Sequence, residues 1–338
     1  MNKFSWYEAK SLEDALEHVN STVSEQLYAS SNGAAVFKSG GVDVFDWVKE
    51  GILKPEKIVN IRNIPGLDKI SFDRKDGMTI GANVTLAEIA SNNEIKENYL
   101  AVHQAVNQAA TPQLRNMSTL GGNLAQRNRC WYFRSADHQC FRKAGDRCFA
   151  RHSVNGENEN HAIIDNGSCV SIHASSVATA LMAFNASVVI VGAEGKKRTI
   201  AMDDFFVSAA QDISMETVLT AKEIITGIIL PPPSKNTKSA YVKHAARESY
   251  DWSLGDVAVV MEVSGGNCKE ASIVLGAAAP TPYRSRQAQE VMQKVSINES
   301  NAEKAAEAAM SVARPLSKNA YKVPLFKSII KQAILELS

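Results

Sequence analysis

Thr111-Pro112-Gln113-Leu114-Arg115-Asn116-Met117-Ser118-Thr119-Leu120-Gly121-Gly122-Asn123 crowds special residues into thirteen positions. Proline restricts the entry, the paired glycines free the backbone, and Ser118, Thr119 and Asn123 offer short hydrogen-bonding groups. Backbone without Cβ can approach a phosphate and donate N–H groups to it. Such a segment suits the wrapping of a large planar cofactor with a pyrophosphate tail; the alternative is a capped surface loop. A second glycine pair stands upstream, in Lys38-Ser39-Gly40-Gly41-Val42-Asp43. It lies between an apolar strand, Ala34 to Phe37, and a helix with Val44, Trp47 and Val48 on one side, so a helix N-terminus adds a field favourable to anions. This is neither a dinucleotide G-x-G-x-x-G fingerprint nor a Walker loop, and on its own it reads first as a plain tight turn.

Outward from these loops, the 338 residues allow two or three domains, and a hydrophobic content of 45% allows a substantial core. A formal net charge of +1 argues against nucleic-acid binding, which needs clustered positive charge to displace phosphate counterions. The opening residues Met1 to Glu8 hold no apolar run or twin arginine, so a signal peptide is not expected. From Gly167 to Ala193 there is no Asp, Glu, Lys or Arg. His173, Asn185 and several serines interrupt that stretch, which reads as a buried helix (Ser176 to Phe184) entering a strand (Ala186 to Val191) rather than a membrane span. The expectation is a soluble, cytoplasmic protein, or one exported folded to the periplasm beside a partner that carries the signal.

Periodicity places an amphipathic helix at Ser11 to Val19, strands at Lys57 to Ile61 and Thr79 to Ala82, and helices at Leu86 to Ser91 and Asn98 to Ala109. Thr111 to Asn160 has little periodicity and is rich in Arg, Asn, Gly and Cys, as functional loops are. A strand within Thr217 to Leu230 precedes Pro231-Pro232-Pro233-Ser234-Lys235-Asn236, a linker by composition. Beyond it, strands Val257 to Val263 and Ser272 to Gly276 flank the turn Ser264-Gly265-Gly266-Asn267, and helices follow at Arg284 to Lys294, Ser300 to Ala313 and Pro324 to Leu337.

Four of the five cysteines cluster: Cys130, Cys140, Cys148 and Cys169, separated by nine, seven and twenty residues. Without a C-x-x-C pair the pattern is not a zinc finger or ribbon, yet four thiolates suit either zinc or an iron–sulfur cluster, and free buried thiols remain the plain reading. Arg127, Arg129, Arg134, Arg142, Lys143, Arg147 and Arg151 would offset an anionic group, and the segment shows few apolar anchors. Cys268 reads as a small buried hydrophobe.

The thirteen-residue segment resembles the R-N-x-x-T-L-G-G-N motif of flavin subunits in the xanthine dehydrogenase and aldehyde oxidase family of molybdenum hydroxylases. Lys38 to Asp43 resembles that family's first flavin-phosphate loop, Ile64-Pro65-Gly66-Leu67 its I-P-G-L, and Leu275 to Arg284 its L-G-x-x-A-P-T-P-x-R strand exit. The resemblance implies an α+β chain: an FAD-binding domain of the vanillyl-alcohol-oxidase (PCMH) type, built of two subdomains, over residues 1–230, and a C-terminal α+β domain over 237–338. It carries Lys38, Ser39, Gly40, Gly41, Val42 and Asp43 to the flavin phosphates, and Ser118, Thr119, Gly122 and Asn123 to the rest of the flavin. Lys243 would stand near the ring, or is, on the plainer reading, an exposed strand lysine. Val42 occupies the family's usual Thr position, leaving Ser39 as the hydroxyl of that loop, and His173-Ala174-Ser175-Ser176 replaces its H-P-S-D.

Arg129-Cys130-Trp131-Tyr132-Phe133-Arg134 and Gly156-Glu157-Asn158 resemble the branch with an extra [4Fe–4S] cluster, which includes aldehyde oxidoreductases and shares its insertion with 4-hydroxybenzoyl-CoA reductase. By that resemblance residues of about 124–169 form a cluster-binding insertion with Cys130, Cys140, Cys148 and Cys169 as ligands. The implied function is electron transfer in a heterotrimer: a molybdenum-cofactor subunit oxidises an aldehyde or N-heterocycle, a small subunit with two [2Fe–2S] clusters passes the electrons on, and FAD here reduces an external acceptor. A self-sufficient flavin oxidase and a zinc-stabilised scaffold are the alternatives.

Overall fold

The computed structural model describes residues 2–29, 34–248 and 250–338, and three sheets organise them. Strands β1 (Ser5–Glu8), β2 (Ala35–Lys38) and β3 (Lys57–Asn60) form a parallel sheet in the order β1-β3-β2. Parallel neighbours need crossover connections; here the helices Leu12–His18, Val23–Ala29 and Val42–Lys49 supply them. The strand expected at Ala34 to Phe37 lies one residue later, so Ser39, Gly40 and Gly41 turn directly from the end of β2 into the helix Val42–Lys49. Gly41 is that helix's N-cap, and its φ of +82° is a left-handed conformation that a side chain would strain.

The second sheet is antiparallel: β4 (Ile70–Asp73), β5 (Gly77–Gly81), β6 (Ser187–Gly192), β7 (Lys197–Ala201) and β8 (Glu223–Leu230), in the order β4-β5-β8-β6-β7. The third comprises β9 (Thr237–Ala245), β10 (Ser253–Ser264), β11 (Asn267–Gly276) and β12 (Tyr283–Arg284), in the order β12-β11-β10-β9. Ser264 pairs with Asn267, and Gly265 and Gly266 between them have φ of +57° and +74°, the two positive values a tight hairpin needs. Helices Leu100–Asn107 and Ser176–Ala183 share one core with both sheets, reaching Ile80, Val188 and Ile228 of the second and Tyr241, Ala258 and Val274 of the third. Every residue from Val177 to Ala183 is buried, which is why the charge-free stretch can be apolar all round. Fully burying Leu181 or Met182 contributes about 1.5–3 kcal/mol each. Among the described residues no helix is long and apolar enough to cross a membrane.

Helices Arg286–Met292, Glu299–Met310 and Lys322–Leu335 cover the other face of the third sheet around Phe326, Ile330 and Met261. A seam of bonds then ties the stretch 158–166 to the start of the last helix. The backbone of Arg314 donates to Ile163 O at 2.6 Å, Asn319 Nδ2 to His161 O at 3.0 Å, and the backbone of Lys318 to Asn158 Oδ1 at 3.0 Å. The fully buried Lys322 ammonium donates to His161 O and Ala277 O at 3.1 and 2.9 Å. Leu316 packs on Cys148, Ala150 and Val170.

Candidate functional site

The two glycine loops are pressed together. A Cβ at Gly40 would lie 2.3 Å from Met117 O, and one at Gly121 would lie 2.9 Å from Ala82 Cβ. Side chains staple the contact: Ser39 Oγ donates to Asn83 Oδ1 at 2.6 Å and shares a 2.9 Å bond with Thr119 Oγ1, while Asn83 Nδ2 donates to Ile61 O at 2.7 Å. Thr119 also caps the helix Leu120–Leu124 through Gly122 N, and Asn123 Oδ1 accepts from Ser175 Oγ. Sequence reading left this stretch irregular; it holds two short helices, Pro112–Met117 and Leu120–Leu124, because Thr111 and Thr119 each supply an N-cap oxygen.

Together the loops wall a cleft. Ser39, Gly40, Gly41, Asp43 and Gly122 line it, facing Leu219, Ile224 and Ile225. Lys38, Val42, Ser118, Thr119 and Asn123 are outside the lining, and Lys38 Nζ donates to Asn60 Oδ1 at 3.1 Å. The helix Val42–Lys49 has no side-chain cap, so its first-turn N–H groups have no side-chain acceptor. A Cβ at Gly122 would meet only Thr119 Oγ1 within 4 Å, at 2.9 Å, so that backbone is open on the cleft side. Arg127 lines the cleft with Nη2 buried and, among the described residues, without a hydrogen-bond partner. Apolar walls, glycine backbone and a spare cationic donor fit a cofactor that joins a planar ring to a pyrophosphate. Lys243 is not brought to this cleft. Its Nζ donates to Gln108 O at 2.9 Å and Asp251 O at 2.6 Å, in a separate recess with His244, Arg247 and Tyr250.

Asp43 faces the cleft, but its carboxylate holds the cysteine-bearing segment. It accepts from Arg134 Nη2 at 2.6 Å and from Arg127 N at 3.0 Å, and lies 3.1 Å from Arg129 Nη2; Asp46 takes Arg134 Nη1 at 2.6 Å. This corrects one expectation. The basic residues of the segment do not all surround its cysteines: Arg129 and Arg134 pair with Asp43 and Asp46, and Arg147 pairs with Asp146. Among the segment's apolar anchors is Phe133, which is 1% exposed and meets Trp47 edge-on with ring centroids 4.9 Å apart.

Cys130, Cys140, Cys148 and Cys169 line one small pocket with Phe141 and Phe149. No three His, Cys, Asp or Glu side chains among the described residues converge closely enough to share a single ion. Burial pushes the Cys130 thiol up to about 12, against the pull of nearby backbone N–H groups, and burial raises Cys140 and Cys148 as well. His161 Nε2 lies 3.3 Å from Cys130 Sγ, and Arg142 Nε donates to Cys169 Sγ at 3.2 Å. Cys268 is apart from them, fully buried in β11 as expected.

Sequence reading missed Glu216. It accepts from Asn128 N at 3.1 Å and from Asn128 Nδ2, and lies 3.3 Å from Arg127 Nε and 3.6 Å from Arg142 Nη1. The approach of Arg127 is bent, so it is an ion pair rather than a hydrogen bond. Burial alone would raise the Glu216 carboxyl; the two guanidiniums and Asn128 outweigh it and hold the group at about 2. No local pattern surrounds Glu216 to betray it. Asn83 did have a signal: it precedes the capping box formed by Thr85 and Glu88, which fixes where the chain enters the helix Leu86–Ser91.

Comparison with known proteins agrees with this architecture. Residues 2–233 match the FAD binding domain in molybdopterin dehydrogenase, and residues 240–337 match the CO dehydrogenase flavoprotein C-terminal domain. The chain belongs to the family of FAD-binding subunits of molybdopterin dehydrogenases, and is an oxidoreductase subunit. It is 30% identical to the aldehyde oxidoreductase FAD-binding subunit PaoB of Escherichia coli, over 95% of this chain and 96% of that one. It is 25% identical to the nicotinate dehydrogenase FAD-subunit of Eubacterium barkeri, over 86% of this chain and 80% of that one. The fold matches that of a chain in reconstituted CO dehydrogenase from Oligotropha carboxidovorans with a TM-score of 0.74 at 21% identity, covering 98% and 96% of the two chains.

Proposed function

We propose that the chain binds FAD between its glycine loops and serves as the electron-transfer subunit of a heterotrimeric molybdenum hydroxylase acting on aldehydes or N-heterocycles. Its partners are a large subunit carrying the molybdenum cofactor and a small subunit with two [2Fe–2S] clusters. The stapled loops of Gly40-Gly41 and Gly121-Gly122 around an apolar cleft carry this reading. Residues 1–230 form the flavin-binding part and residues 237–338 the C-terminal domain. Bound FAD supplies the two-electron chemistry that links one-electron iron–sulfur carriers to an external acceptor. The chain's own contribution is to grip the pyrophosphate with loop backbone, including Gly40, Gly41 and Gly122, and to keep water from the ring with Leu219, Ile224 and Ile225.

The same reading places a [4Fe–4S] cluster on Cys130, Cys140, Cys148 and Cys169. Their shared pocket supports it. Metal would turn the buried neutral thiols into thiolates. The test is the visible and paramagnetic spectrum of the purified complex with its iron content, for the natural chain and for each Cys→Ser variant. Each of the four should lose iron and the signal of the reduced centre, and Cys268→Ser should keep both. Flavin without iron would leave a flavin oxidase; a colourless zinc protein would leave a scaffold. Aldehyde turnover by the isolated chain would overturn the subunit assignment.

A further inference from the structure

Between the flavin cleft and the cysteine pocket runs a buried line of charge made of Arg127, Glu216 and Arg142, which are 5%, 9% and 1% exposed. Arg127 and Glu216 line the cleft, and Arg142 lines the pocket. Glu216 sits between them, 3.3 Å from one guanidinium and 3.6 Å from the other. At the far end Arg142 is held by Ile213 O and Met215 O, at 3.2 and 2.9 Å, which aims its Nε–H at Cys169 Sγ. At the near end Arg127 Nη2 is buried with no hydrogen-bond partner among the described residues.

Two buried guanidiniums share one buried carboxylate, so the line carries excess positive charge. Burying such charge is costly unless it is compensated. Asp43 compensates Arg127 in part; beyond Arg142 the acidic neighbour is Asp212, which is exposed, and the thiols of Cys169 and Cys140 are its other neighbours. Negative charge at the sulfurs would satisfy that end. Hydrogen bonds to ligating sulfurs and nearby net charge are what set iron–sulfur potentials.

We infer that Arg127, Glu216 and Arg142 act as positioning residues that set the reduction potential of the centre on the four cysteines and couple it to the flavin cleft. The inference rests on the cluster reading given above. The Arg142 Nε–H on Cys169 Sγ favours the reduced, more negative state. Glu216 moderates the pull of Arg142, so the two ends of the line influence each other through a single carboxylate.

The experiment is a redox titration of the purified complex, following the paramagnetic signal of the reduced cluster, with iron and FAD content measured alongside. Glu216→Gln keeps the shape and removes the negative charge, so the cluster should become easier to reduce. Arg142→Met removes both the charge and the donor, so it should become harder to reduce. Each change is expected to reach tenfold in the reduction equilibrium, about 59 mV for a one-electron couple. Arg142→Lys retains the charge but not the fixed Nε–H, and should shift the potential in the same direction as Met by a smaller amount; it keeps the test alive should the Met variant fail to fold. Opposite shifts from positions 216 and 142, with iron retained, support the inference. Unchanged potentials, shifts of the same sign, or loss of iron in Arg142→Lys overturn it and make the line purely structural. A natural complex without any iron–sulfur signal would instead remove the cluster reading, a distinguishable result.

Discussion

A methyl group at Gly40 would press on the carbonyl of Met117 and leave the two glycine loops no way to close. Gly40→Ala should therefore destabilise the chain by about 1–3 kcal/mol, the usual range for overpacking. It should also lower FAD stoichiometry, read by flavin absorbance against protein, and restored stoichiometry at natural stability would exclude the loop contact as a requirement. Gly122→Ala is a contrasting case, because its Cβ meets only the Thr119 hydroxyl and no backbone of the other loop. It should spare folding more than Gly40→Ala. At this scale the sequence is legible where backbone chemistry demands a residue type, as at both glycine pairs. It is silent where a side chain matters only through distant partners. Asp43 was legible as a loop residue but not as the anchor of Arg129 and Arg134, whose positions lie more than eighty residues away.

Among elements, the cysteine-bearing segment is anchored in part by an aromatic plug. Phe133 lies between Trp47 and Arg127, with its ring centroid 5.2 Å from the guanidinium carbon. Phe133→Ala should cost about 3–5 kcal/mol if the cavity stays open, and should loosen the segment before the rest of the fold. Limited proteolysis would show it: cleavage within residues 125–170 at a urea concentration that leaves the C-terminal hairpin intact. Equal resistance of variant and natural chain would count against the plug. Element legibility followed burial. The hairpin of β10 and β11 and the helix Ser176–Ala183 were readable because their apolar patterns are long. The strands given no bounds from sequence, β1, β4, β7, β9 and β12, all lie at sheet edges, and apart from Ser239, Ala240, Tyr241 and Val242 of β9 their residues are exposed or half-buried. An edge strand facing solvent has little hydrophobic alternation to reveal it.

For the molecule as a whole, the buried ion pairs give stability a direction with pH. The Glu216 carboxyl is held at about 2 in the folded chain, below its ordinary 4.5, so the unfolded chain takes up that proton first. Its contribution is complete above pH 4.5 and is lost as pH falls toward 2, a loss on the order of 3 kcal/mol. His173, also pulled below its ordinary value by burial, adds to the decline in the milder acid range. Urea midpoints measured from pH 7 downward should fall, and Glu216→Gln should flatten the portion below pH 4.5; an identical slope in the variant would rule this group out as its source. The seam between 158–166 and 314–322 has a consequence on a different axis, that of synthesis. A ribosome makes about 5–20 residues per second, so the two halves of the seam emerge roughly ten to thirty seconds apart. During that interval the loop bearing Cys130 to Cys169 has left the ribosome, while Leu316, Asn319 and Lys322, which close one side of it, do not yet exist. The nascent chain thus passes through a stage in which the side of the thiol pocket that Leu316 covers is still open, and it closes only when residues 314–322 arrive.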